Sequence, residues 1–73
     1  MTAAETITLR LNGEERRSPA GLSLEELLCH CGYEPRLVVV EFNGSILARR
    51  HWLGQPVQAG DVLEVVTIVG GGT

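Results

Sequence analysis

Cys29-His30-Cys31 is the densest grouping of reactive side chains in this 73-residue sequence, and thiolate beside imidazole serves both metal binding and nucleophilic catalysis. The spacing suits neither. A structural zinc site needs about four ligands with characteristic wider spacings. On a helix, residues 29 and 31 point in quite different directions. A nucleophilic Cys29 would need a base and an oxyanion site that nothing in the sequence supplies. His30 and His51 have no Asp or Ser placed as triad partners. The six basic residues are all Arg, which removes lysine nucleophiles and Schiff-base chemistry. Glu14-Glu15 and Glu25-Glu26 fit roles at a strand edge and a helix start better than paired catalytic carboxylates. No phosphate-binding loop of the Walker type is present. The sequence therefore predicts no catalytic side chain and no metal site. What remains is the ending Gly70-Gly71-Gly72-Thr73, whose only chemistry is that of its backbone. Glycines without a Cβ accept extended and left-handed conformations alike, so such a tail is expected to stand free in solvent.

The elements that would position this ending can be followed along the chain. Ile7, Leu9 and Leu11 alternate with Thr8 and Arg10, the period of a strand buried on one face. Asn12-Gly13 then supplies the two positive-φ positions of a tight hairpin turn. Glu14 to Ser18 return as a partner so charged that it belongs at a sheet edge, and Pro19 with Gly21 ends it. Ser23 as N-cap, Glu26 as its capping-box partner, and Leu22 with Leu27 as a hydrophobic staple announce a helix. Leu24, Leu27, Leu28 and Cys31 form its apolar stripe, with Gly32 as the stop and Pro35 barring continuation. The run Leu37-Val38-Val39-Val40 reads as an interior strand with both faces at least partly covered. Asn43-Gly44 marks a second hairpin, returning through Ser45-Ile46-Leu47. Residues 48–58 are irregular and read as a loop anchored by Trp52, in which Arg49-Arg50 either dock a partner or solvate the loop. After the turn Ala59-Gly60-Asp61, Val62 to Val69 is the longest apolar, β-branched run and is expected to be central in the sheet. Taken by composition alone, a glycine ending is a frayed terminus. Its direct attachment to that central strand, within the pattern of the whole chain, reverses the preference.

Composition narrows the function classes. A chain this short buries only about 60% of the surface its unfolded form exposes, so one small core is expected, with little room for a deep pocket of about 300 Å³ or more. A net charge of −3 argues against nucleic acid and anionic membrane as partners and in favour of protein. No apolar stretch reaches the roughly 20 residues of a membrane span. Two closely spaced cysteines fit a reducing compartment, and a cytoplasmic location is expected.

The order of a leading hairpin, one helix, further strands and a last strand running into glycines resembles the ubiquitin-like β-grasp fold. This is an α+β arrangement in which one helix lies across a mixed sheet of four to five strands. Residues 1–69 would form the body and 70–73 a flexible tail. Leu11-Asn12-Gly13-Glu14, Val39-Val40-Glu41-Phe42-Asn43-Gly44, then Arg49 and Trp52, Gly60-Asp61-Val62-Leu63-Glu64-Val65-Val66 and Val69-Gly70-Gly71-Gly72 together resemble the ThiS family of sulfur carriers in thiamine synthesis. The resemblance implies that the first and last strands lie parallel at the sheet centre. It also implies that an adenylating, ThiF-like enzyme uses ATP to activate a C-terminal glycine carboxylate. A sulfur donor then converts the carboxylate to a thiocarboxylate for thiazole synthase. On this resemblance the chain is a carrier and not an enzyme, binds no cofactor, and meets ATP only in its partner. Thr73 departs from the family's ending. Its removal is expected, leaving Gly71-Gly72 as the working diglycine and Gly72 as the acyl position, with Gly70 and Gly71 in the flexible lead-in. Related carriers for molybdopterin or other thiolated products share the fold, but usually carry a proline pair where Ile68-Val69 stands here. A noncovalent β-grasp interaction module is the alternative of a different class.

Overall fold

A computed structural model of the chain describes residues 5–68. The expected boundary between body and tail, at residues 69 and 70, lies outside the described residues. Six principal elements follow one another: β1 (Thr6–Leu11), β2 (Glu14–Pro19), α1 (Leu24–His30), β3 (Val38–Phe42), β4 (Ser45–Ile46) and β5 (Val62–Thr67). Two single 3₁₀ turns, Pro35–Leu37 and Arg49–His51, join them. The strands form one mixed sheet in the order β2-β1-β5-β3-β4, with β1 and β5 parallel at its centre and every other pair antiparallel. This is the β-grasp arrangement.

Local chemistry explains each element. Both hairpins turn on Asn-Gly pairs with positive φ at each residue: 54° and 81° at Asn12-Gly13, 53° and 91° at Asn43-Gly44. That geometry matches the right-handed twist of the flanking strands. The Ser23 hydroxyl accepts from Glu26 N at 3.2 Å while the Glu26 carboxylate accepts from Ser23 N at 2.8 Å, closing the capping box. At the other end Gly32 takes φ 90°. The Gly32 and Tyr33 amides donate to the carbonyls of Cys29 and Leu28 at 3.0 and 2.9 Å, the paired bonds of a Schellman stop.

Leu24, Leu27 and Leu28 from α1 meet Leu9, Leu11, Val40, Leu63 and Val65 from the sheet in one buried cluster, with Cys31 packed at its margin. Trp52 is 2% exposed and its indole N–H donates to the Leu47 carbonyl at 2.8 Å, so it anchors the irregular segment as expected. That segment is more ordered than its sequence suggests. It contains a 3₁₀ turn, contributes Val57 to the core and forms a bridge between Pro56 and Ser23.

Two expectations are corrected. The Leu37–Val40 run is covered on one face only: Val38 and Val40 are buried, whereas Leu37 and Val39 are exposed, because the single helix shields a single side of the sheet. The last strand ends at Thr67, short of Val69. The concavities above about 300 Å³, two grooves of about 370 and 360 Å³, are open to solvent and neither is a deep pocket. No helix among the described residues is long and apolar enough to cross a membrane.

Candidate functional site

The side chains considered first for chemistry are not assembled into a site. Cys29 and His30 are exposed near the end of α1, Cys31 is half-buried against the core, and His51 is exposed on the second 3₁₀ turn beside Arg49 and Arg50. Among the described residues no group of three or more His, Cys, Asp or Glu is placed to hold a metal ion. Gly70, Gly71, Gly72 and Thr73 lie outside the described residues. What the structure does define is the strand that leads to them.

β5 is fixed most firmly where it begins. Its first residues are flanked on both sides, with Val62 and Leu63 paired to Arg10 and Leu11 of β1, and Leu63 also facing Phe42 of β3. Leu63 is fully buried and Val65 nearly so, and the two side chains hold the strand to the core by its inner face.

Two asparagines add polar fastenings. Asn43 N donates to the Val62 carbonyl at 2.7 Å, its side-chain oxygen accepts from Val62 N at 2.8 Å, and its amide nitrogen donates to Asp61 at 3.1 Å. Asp61 in turn accepts from Gln58 N at 2.8 Å. At the far side of β5, the Asn12 side chain acts as a substitute for a strand residue. Its oxygen accepts from Val65 N at 2.7 Å and its nitrogen donates to the Val65 carbonyl at 3.2 Å. It thereby extends the β1 ladder by side chain after the β1 backbone has turned away.

Sequence reasoning assigned these asparagines to turns and missed their grip on β5. The available signal was the recurrence of Asn-Gly at both strand ends that flank β5 in the folded sheet. That neighbour relation is not visible in the linear order.

Beyond Val65 the strand is held from one side. β3 accompanies it through the Val38–Thr67 pair, and Ile68 N donates to the Leu37 carbonyl. Among the described residues no strand pairs with Val66 or Thr67 on the β1 side. At the sheet's centre, β5 is therefore seated from both sides at its start and from one side at its end. A ubiquitin-like β-grasp body with β5 at the centre of its sheet is the class of protein these features define.

Comparison with known proteins gives the family. The ThiS family model matches residues 6–72. A crystal structure of the thiamine biosynthesis protein ThiS from Geobacter metallireducens superposes with a TM-score of 0.76 at 30% identity, covering 90% of this chain and all of that one. The protein ycf40 of Trieres chinensis is 34% identical over 65 residues, 89% of each chain. A thiazole synthase of Paramagnetospirillum magneticum is 40% identical over 65 residues, which are 89% of this chain and 20% of that enzyme. A second thiazole synthase, from Magnetococcus marinus, shows the same proportion, so the chain spans about a fifth of the length of these two relatives. The chain belongs to the ThiS family.

Proposed function

We propose that the chain is a sulfur carrier for thiazole formation in thiamine synthesis, loaded at its own C-terminal backbone carboxyl group. The observation that supports this most is the position of β5. The strand is anchored at the centre of the sheet, and in the sequence Val69 and three glycines stand between Ile68 and Thr73. Membership of the ThiS family agrees with it.

A carboxylate at neutral pH is a poor electrophile, so loading starts with activation. After removal of Thr73, the Gly72 carboxylate attacks the α-phosphorus of ATP in an adenylating, ThiF-like partner, and pyrophosphate leaves. Donor sulfur at the oxidation level of sulfide then attacks the acyl carbon, AMP departs with the carboxyl oxygen that had bonded phosphorus, and a thiocarboxylate remains. Reaction requires the carbonyl to be held about 3–3.5 Å from its attacker. A tail without side chains reaches such a point through a cleft too narrow for ordinary residues. Ordering it costs about 1–2 kcal/mol per residue, which contacts of the docked body must offset. The chain carries sulfur and leaves catalysis, and ATP, to its partner. Thiazole synthase is the acceptor in this reading, supported by the relatives in which a matching segment makes up a fifth of a thiazole synthase.

The test is the intact mass of the chain after incubation with the adenylating enzyme, ATP and a sulfur source. The expected product has lost Thr73 and exchanged one oxygen for sulfur. A mass that remains that of the starting chain with all components present overturns the proposal.

A further inference from the structure

Three elements meet at the side chain of Asn12, and only one of them is the turn that the sequence announces. A φ of 54° and a bond from the Asn12 backbone amide to the Leu63 carbonyl at 2.8 Å fix its backbone at the end of β1. From there the side chain spans to β5: its oxygen accepts from Val65 N at 2.7 Å and its nitrogen donates to the Val65 carbonyl at 3.2 Å. The same nitrogen donates to the Tyr33 hydroxyl at 3.3 Å, so the amide's oxygen and both of its N–H groups have work to do. Tyr33 lies just past α1, with its own amide bonded into the helix stop and its ring packed on the core. A hairpin turn needs none of these side-chain bonds, because Gly serves the same position.

We propose that Asn12, with Tyr33 acting through it, is a positioning residue for the loading reaction: together they hold β5 at Val65, so that the docked body presents the terminal carboxyl group in register with the partner's nucleotide. The inference rests on the carrier reading above, and it adds to it two side chains that touch neither ATP nor sulfur. Chain length gives the reason for such a hold. Gly72 stands seven residues after Val65, which limits its distance from Val65 to about 23–25 Å. Adenylation needs the carboxylate oxygen about 3–3.5 Å from the α-phosphorus, so any error in where this span starts passes to where it ends. Backbone pairing alone fixes the start poorly on one side, since β1 pairs with β5 only through Arg10–Val62 and Leu11–Leu63. Loss of the Asn12 rung leaves Val65 held from the β3 side alone. The start of the span then wanders, and more entropy is lost when the carboxyl group is brought into line. The surface by which the body docks is unchanged, so KM should hold while the chemical step slows.

Variants that keep the turn and remove the hold test this. Asn12→Gly retains a residue suited to positive φ and deletes all three side-chain bonds. Asn12→Asp keeps the acceptor for Val65 N and lacks both donors, whereas Tyr33→Phe removes only the hydroxyl. Each is made in the chain ending at Gly72 and assayed with the purified adenylating enzyme by ATP–pyrophosphate exchange. For Asn12→Gly, kcat should fall about fivefold or more, with KM for the carrier within about twofold; Asn12→Asp and Tyr33→Phe should show smaller losses of the same kind. Adding Tyr33→Phe to Asn12→Gly should lower kcat no further, because the hydroxyl acts through the amide. Val57→Ala, which opens the core on the irregular segment, should lower the midpoint of urea unfolding and leave kcat unchanged. If the unmodified chain supports exchange and Asn12→Gly keeps its kcat, raises KM alone, or loses no more kcat than Val57→Ala, the positioning role is overturned and the carrier reading stands. If the unmodified chain ending at Gly72 supports no exchange, the carrier reading falls and the positioning role falls with it.

Discussion

The two faces of the sheet are built from the same strands, yet they serve opposite ends. On the inner face Leu9, Leu11, Val40, Leu63 and Val65 are sealed beneath α1. On the outer face the intervening residues of β3 and β5, Val39, Glu41, Val62, Glu64 and Val66, are left to solvent. A one-residue shift along a strand exchanges a buried position for an open one, because side chains alternate. The inner face supplies the stability of a body with a small core. The outer face holds apolar side chains and like charges that do nothing for that stability, and such surface is expected where a partner binds. Strand β5 belongs to both, and in the sequence it closely precedes the glycine-rich ending.

The division is tested most severely by truncation. A chain lacking residues 70–73 should lose sulfur loading completely while its thermal unfolding midpoint stays unchanged. Coupled loss of loading and of stability would mean that the tail is part of the body.

Within the body, Leu27→Ala empties a fully buried site beneath the sheet and should lower unfolding free energy by about 2–5 kcal/mol, measured by urea titration. Asn12→Ala removes both side-chain bonds to Val65 and leaves that part-buried backbone without partners. A loss of about 1–3 kcal/mol is expected, with hydrogen exchange of the Val65 amide accelerated beyond the global change. Equal acceleration throughout the sheet would show that Asn12 stabilises only its turn. The smallest effect belongs to the outer face. Val66→Ala should change stability by less than about 1 kcal/mol, the span of strand propensity. A loss as large as that of Leu27→Ala would erase the distinction between the faces.

Much of this organisation is legible in the sequence because its signals are local. The Asn12-Gly13 and Asn43-Gly44 turns, the Ser23/Glu26 box and the Gly32 stop each depend on a few adjacent residues, and each forms as read. The parallel placement of β1 and β5 came through resemblance, since no local feature brings residues 6 to 11 beside 62 to 67. Relations created only by pairing stayed hidden. Glu41 and Glu64 are separated by more than twenty residues in the chain, and their opposition exists only in the register of β3 and β5. The apolar run at 37–40 suggested cover on both faces, because composition records hydrophobicity without recording how many helices are available to bury it. Val57 lies in a segment without periodicity, so nothing marked it for the core, yet it is buried. The reading of Gly72 as the acyl position rests on the family's ending, and residues 69–73 lie outside the described part of the chain.

Sulfur has two chemically distinct places to reside on this protein: the C-terminal carbonyl and the thiol of the exposed Cys29. Fragmentation mass spectrometry of the loaded chain, recorded with and without a thiol reductant, distinguishes them directly. The expected spectrum places sulfur on the carbonyl of Gly72, with Thr73 gone and the label resistant to reduction. Sulfur found on Cys29 and released by the reductant, or a loaded chain still ending in Thr73, would contradict the assignment of the backbone terminus as the carrier site.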